Sequence, residues 1–132
     1  MQVTSFGFGS AGELPLDFDE ALNRTKEILA RHGFGVQAEI KISEALKAKL
    51  GVETPREVIL GVCNPALAYR AIQAEPGITV LLPCNVTLRE TASGVHIAAA
   101  NPEALVGLTG NPELAAIASE AGRHLAEALN EI

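Results

Sequence analysis

One long amphipathic helix, four strand-like runs in succession and a second long amphipathic helix follow one another in this chain, and that order is what most constrains its fold. The first helix is the most regular segment. Asp17 stands at its N-cap with Glu20 three residues on, in a capping-box position, and Phe18, Ala21, Leu22, Thr25, Ile28 and Leu29 fall on one face. Gly33 ends it where a left-handed residue is wanted, and Phe34 follows where an apolar side chain folds back on the last turn. A strand over Gln2 to Phe8 precedes the helix, and Gly9 to Pro15 reads as its exit loop.

After the helix, Phe34, Val36, Ala38 and Ile40 alternate with Gly35, Gln37 and Glu39, which predicts a strand with one buried face. Ser43 caps a short helix that Gly51 stops, and Val58 to Val62 is a continuous apolar run expected at the centre of a sheet. Asn64-Pro65 opens a further helix, since Asn is a strong N-cap and Pro fits the first helical position. Ile78 to Leu82 and Val86 to Glu90 read as one strand interrupted by Pro83, whose missing N–H marks an edge or a bulge that re-aims Cys84. Val95, Ile97 and Ala99 form the return strand. A four-residue turn over Thr91 to Gly94 sets Leu88 opposite Ile97 and Arg89 opposite His96. Asn101-Pro102 and Asn111-Pro112 repeat the helix start, the second opening a long helix with Leu114, Ile117, Ala118, Ala121, Leu125, Ala128 and Leu129 inward.

The expected fold is therefore α+β: a mainly antiparallel five-stranded sheet in the order β-α-β4-α, two long helices on one face, and short helical insertions, in a single domain over residues 1–132. The other face must meet solvent, an inserted helix or another subunit, and the apolar Ala98-Ala99-Ala100 stretch favours a homodimer.

Charge narrows the partners. With sixteen acids against ten bases and a net charge of −6, the chain offers no concentrated positive face for nucleic acid or an anionic membrane. No apolar run approaches the roughly 18 to 20 residues of a membrane span, and the start has no basic region followed by a long apolar one, so a cytoplasmic location is expected. The two cysteines are then expected as thiols.

Gly33-Phe34-Gly35-Val36, the Lys47-to-Gly51 stretch, Leu60-Gly61-Val62-Cys63-Asn64-Pro65, Ala68-to-Ala71 and Leu81-Leu82-Pro83-Cys84-Asn85-Val86 together resemble the prokaryotic domain of unknown function family 302, over nearly the whole chain. The resemblance implies a compact α+β fold of TATA-binding-protein-like shape, a dimer, no DNA binding and no assigned biochemical activity. Two positions depart from the family pattern: Arg56-Glu57 stands where a tyrosine is usual, and Asn101 stands where an Asp tends to precede the proline.

The candidate site lies at the two cysteines, each at the break of an apolar run. Cys63 immediately precedes the N-cap Asn64, where the helix dipole favours a thiolate, and Cys84 is followed by Asn85. Cys63, Asn64, Cys84 and Asn85 are the expected ligand-binding residues, with a small ligand or a protein partner as occupant. The alternative is thiol-redox or sulfur-handling chemistry with Cys63 as nucleophile and Cys84 as resolving thiol; a structural subunit of a larger assembly is a third reading. The bland explanation, a small buried filler beside a helix cap, is the simpler account of Cys63, and for Cys84 the two readings balance. No metal site and no cofactor are expected, because His32, His96 and His124 show no ligand spacing with the thiols. Gly7-Phe8-Gly9-Ser10-Ala11-Gly12 spells a dinucleotide fingerprint, but Glu13 to Leu16 separate it from the helix that would face a pyrophosphate. No nucleophile elbow or phosphate-binding loop is present, so neither a hydrolase nor a kinase is expected.

Overall fold

The computed structural model describes residues 1–132. In chain order the elements are β1 (Thr4–Phe6), β2 (Gly9–Leu14), α1 (Phe18–Arg31), β3 (Gly35–Ile40), α2 (Ile42–Leu50), β4 (Glu57–Cys63), α3 (Pro65–Ala74), a 3₁₀ helix (Pro76–Leu81), β5 (Cys84–Thr91), β6 (Gly94–Ala100), α4 (Pro102–Val106), a 3₁₀ turn (Gly107–Thr109) and α5 (Pro112–Glu131). The strands make one six-stranded sheet in the order β1-β2-β6-β5-β4-β3, and every neighbouring pair is antiparallel.

Local chemistry accounts for the long helices. The Asp17 carboxylate accepts from the Glu20 N–H at 3.4 Å at the start of α1. At its end Gly33 takes φ +88° and the Phe34 N–H donates to the Leu29 carbonyl at 2.9 Å. In α5 the Asn111 side chain accepts from the Glu113 N–H at 3.0 Å, with Pro112 in the first turn. The apolar stripe of α1 and the second half of that of α5 share one core with Val58, Leu60 and Val62 of β4, Val86 and Leu88 of β5, and Val95, Ile97 and Ala99 of β6. Thr25 is the single buried polar residue there. The β5–β6 register is the expected one, with Leu88 opposite Ile97 and Arg89 opposite His96.

Five details differ from the sequence reading. The expected first strand and exit loop are a hairpin, β1 and β2, which raises the strand count from five to six. Glycine spacing suggested a loop, but at Gly9 it permits close packing: a Cβ there would lie 2.6 Å from the Ala99 carbonyl oxygen and 2.7 Å from the Phe6 ring. In β3 the register shifts between Val36 and Ala38, so Val36 pairs with Val62 while Ala38 and Ile40 pair with Gly61 and Ile59. An inserted residue of this kind reverses which side chains face the helices, and the simple alternation fails. Residues 76–81 form a 3₁₀ helix rather than a strand, because Ile78 is buried with Ala71 and Leu114 instead of against the sheet. Ser43 lies inside α2; its hydroxyl accepts from the Glu57 N–H at 2.9 Å and donates to the Glu57 carbonyl at 3.3 Å, fastening α2 to β4.

The fifth difference concerns Pro83. It precedes β5, which then runs without a bulge from Cys84 to Thr91. Pro83 instead packs over Gly61, where an added Cβ would come within 2.7 Å of the proline Cγ. Gly61 is thus required by the proline that crosses its strand.

The sheet face away from α1 and α5 contributes no residue to either apolar cluster. Across it, Glu13, His96, Arg89 and Glu57 line up as successive strand partners, and the next row holds Ala11, Ala98, Thr87 and Ile59. Of the expected subunit-facing alanines, Ala98 and Ala100 lie on this side and Ala99 is in the core at 4% exposure. Arg56, at the position where the family resemblance leads one to expect tyrosine, sits 4.2 Å over the Phe18 ring and pairs with Asp19 at 2.7 Å. No helix is long and apolar enough to cross a membrane.

Gly61→Ala is expected to lower unfolding free energy by about 1–3 kcal/mol, as overpacking of a tight site does; denaturant unfolding of wild type and variant measures it, and an unchanged midpoint would contradict the Pro83 contact.

Candidate functional site

Three chain segments converge at the end of β4. Cys63 is its last residue and pairs with Gly35 of β3, while Val62 pairs with Cys84, the first residue of β5. Paired residues share a face. Cys84 therefore stands on the helix-covered side with Val62, and it packs against the main core. Asn64 then turns the chain into α3: its Oδ1 accepts from the Leu67 N–H at 3.2 Å, and Pro65 occupies the first helical turn.

Between these strand ends and the small helices lies a cavity of about 70 Å³. Phe34, Val62, Cys63, Asn64 and Cys84 line it on the sheet side. Leu67 and Ala71 of α3, Ile78 and Leu82, Leu105 of α4, and Leu114 and Ala118 of α5 complete it. Sixteen of its eighteen lining residues are hydrophobic. The two free thiols and the Asn64 carboxamide are its distinctive chemical groups.

Of the four residues expected at the site, three share this cavity. Asn85 does not: it pairs with Gly61, one step from Cys84 along β5, and is exposed on the opposite face. Alternation along a strand separates neighbours, so the Cys-Asn dipeptide cannot act as a unit. The structure also shows what the sequence reading missed. Pro102, Leu105 and Val106 of the short α4 and Ile117, Ala118 and Ala121 of α5 form a wall of the cavity. The inward stripe of α5 was legible, but not that its first half turns toward the thiols while its second half covers the sheet.

Burial pushes the Cys84 thiol pKa up, and the neighbouring Cys63 thiolate adds to the rise. The histidines are engaged elsewhere: His32 with Glu131, His96 Nδ1 with Glu13 at 3.1 Å, and His124 Nδ1 with Glu127 at 3.9 Å. None lines the cavity, and no group of three or more His, Cys, Asp or Glu side chains converges anywhere. The Gly7-to-Gly12 stretch forms the β1–β2 hairpin, so its glycines do not lead into a helix N-terminus.

Comparison with known proteins agrees with the resemblance. The family model described as "Domain of unknown function DUF302" matches residues 11–132, and the chain belongs to that family. A similar solved structure is that of an uncharacterized conserved protein DUF302 from Bacillus stearothermophilus, 30% identical, with a TM-score of 0.87 over 93% of this chain and 96% of that one. No curated protein matches.

Iodoacetamide alkylation followed against pH is expected to show Cys84 reacting only above the range of an ordinary thiol. In Cys63→Ser the Cys84 transition moves to lower pH, because the neighbouring negative charge is gone, but stays elevated, because burial remains. Rapid labelling of Cys84 at neutral pH would contradict its burial.

Proposed function

We propose that this domain binds a small apolar ligand in the cavity beside Cys63, Asn64 and Cys84. The observation that carries the reading is the lining: sixteen hydrophobic residues of eighteen around about 70 Å³. That volume exceeds the ~10–15 Å³ a single water needs, yet a buried water also needs two to four polar partners. The cavity supplies two weakly hydrogen-bonding thiols and a carboxamide whose oxygen already caps α3. An apolar occupant fits this wall better than solvent.

Xenon tests the reading without knowledge of the natural ligand. Xenon-129 NMR of the wild type is expected to report one saturable site, and Ala118→Leu, which adds a side chain at a lining position only 3% exposed, is expected to abolish it. The variant should remain folded at a cost of about 1–3 kcal/mol. Equal xenon uptake by both proteins would remove the proposal.

A thiol-redox reading has one observation in its favour, the presence of both free cysteines among the residues that line the cavity. In it the Cys63 thiolate attacks a substrate disulfide and releases one thiolate, and Cys84 then displaces the second to leave a Cys63–Cys84 disulfide. The raised pKa of Cys84 suits it to the resolving position rather than the attacking one.

The same proposal includes a homodimer through the open sheet face. Small side chains at Ala11, Ala98 and Thr87, with the apolar Ile59 in the same row, permit close approach of a second sheet, and exposed Phe6 and Phe8 stack edge to face at 4.9 Å. Light scattering coupled to size exclusion should give twice the chain mass for the wild type and the monomer mass for Ala98→Arg. A monomeric wild type would end this part of the proposal.

A further inference from the structure

We infer that the cavity receives the end of an unbranched aliphatic chain whose head group carries no negative charge. The inference rests on the reading of the cavity as an apolar-ligand site and names the chemical class of its occupant. Size sets the shape of that occupant. The cavity, about 70 Å³, is roughly half the ~150 Å³ of a dry protein cavity that holds benzene, and at ~10–15 Å³ for each water-sized group it has room for about five methylenes. A six-carbon ring exceeds that space, whereas the end of a chain fills it. No charged side chain lines the cavity, so a polar head stays outside, where water solvates it.

The rest of the chain meets the outer wall. Leu81 and Leu82, and Leu105 and Val106 of α4, line the cavity while only half-buried, so their segments reach both the hollow and solvent. Next to them in the chain stand Val80, 87% exposed, and Leu108, 79% exposed, the two most exposed large hydrophobic side chains of the protein. A chain longer than the cavity lies across this apolar rim. Charge then selects the head. Arg70 is the sole base over residues 65–82 and 101–121, and Glu120 holds it at 2.8 Å, whereas Glu75, Glu103 and Glu113 of the same segments have no salt-bridge partner. A carboxylate head finds no free cation on these segments and is repelled by their acids; an alcohol meets neither penalty.

The full chain should be titrated with 1-alkanols from propanol to octanol and followed by amide chemical shifts in NMR. Each methylene up to about five carbons is expected to tighten binding about fourfold, the ~0.8 kcal/mol of a buried CH₂, and each one beyond by a smaller factor. Hexanoate is expected to bind about tenfold more weakly than hexanol. The double variant Val80→Ser, Leu108→Ser, altered only at exposed positions, should lower the gain from hexanol to octanol and leave butanol binding unchanged. Affinity independent of chain length, hexanoate binding as tightly as hexanol, or octanol binding insensitive to the double variant overturns the inference. Xenon separates it from the reading beneath it: a wild type that takes up xenon but no alkanol overturns the chain-end inference and keeps the apolar-ligand cavity, whereas one that takes up neither loses both. Displacement of xenon by pentanol supports the two together.

Discussion

The antiparallel pairing of β4 with β5 is the constraint from which the rest of the molecule follows. It sets Val58, Leu60 and Val62 against Leu88, Val86 and Cys84 on one side, and so produces the apolar surface that α1 and α5 cover. A shift of one residue would move that whole set to the other face. Pro83 over Gly61 blocks such a slip at the end where it would matter most, since only a residue without a side chain fits beneath the proline. The pairing also ends where chemistry begins: the residue after Val62 is one thiol, and the residue opposite Val62 is the other.

A second consequence is the division of α5 into two jobs. Leu125, Ala128 and Leu129 in its second half belong to the sheet core. Leu114, in the first half, belongs to a smaller cluster with Ala71 and Ile78, away from the sheet. The cavity sits at the seam between these two apolar bodies, where Val62, Phe34 and Cys84 of one meet Ala71, Ile78 and Leu114 of the other. Imperfect packing is expected where two cores join, and here the thiols lie at that join.

Much of this was legible in the chain. The Asp17, Asn64, Asn101 and Asn111 caps all accept backbone hydrogen bonds in the structure, because capping is a local interaction that three or four residues specify. The β5–β6 register followed from matching apolar residues across a short turn. What failed required distant partners. Nothing near Gly9 announces that β6 will pack against it, nothing near Val36 announces an extra residue in β3, and Ile78 carries strand propensity that burial against α3 and α5 overrides. At the site, the cysteines could be proposed as neighbours from strand order, but separating Asn85 from them needed the actual register. The wall formed by α4 was hidden because Pro102 to Val106 is too short to show a periodic stripe.

The cavity's outer wall differs in kind from its sheet side. β4 and β5 are central strands, each bonded to neighbours on both edges, whereas residues 76–81 are a 3₁₀ helix and α4 has only five residues. Short segments with few backbone bonds open locally at far lower free energy than a central sheet. The Pro76–Leu81 and Pro102–Val106 segments, and not β4 or β5, are therefore the part of the cavity wall with the least backbone reinforcement, a soft rim on a stiff base.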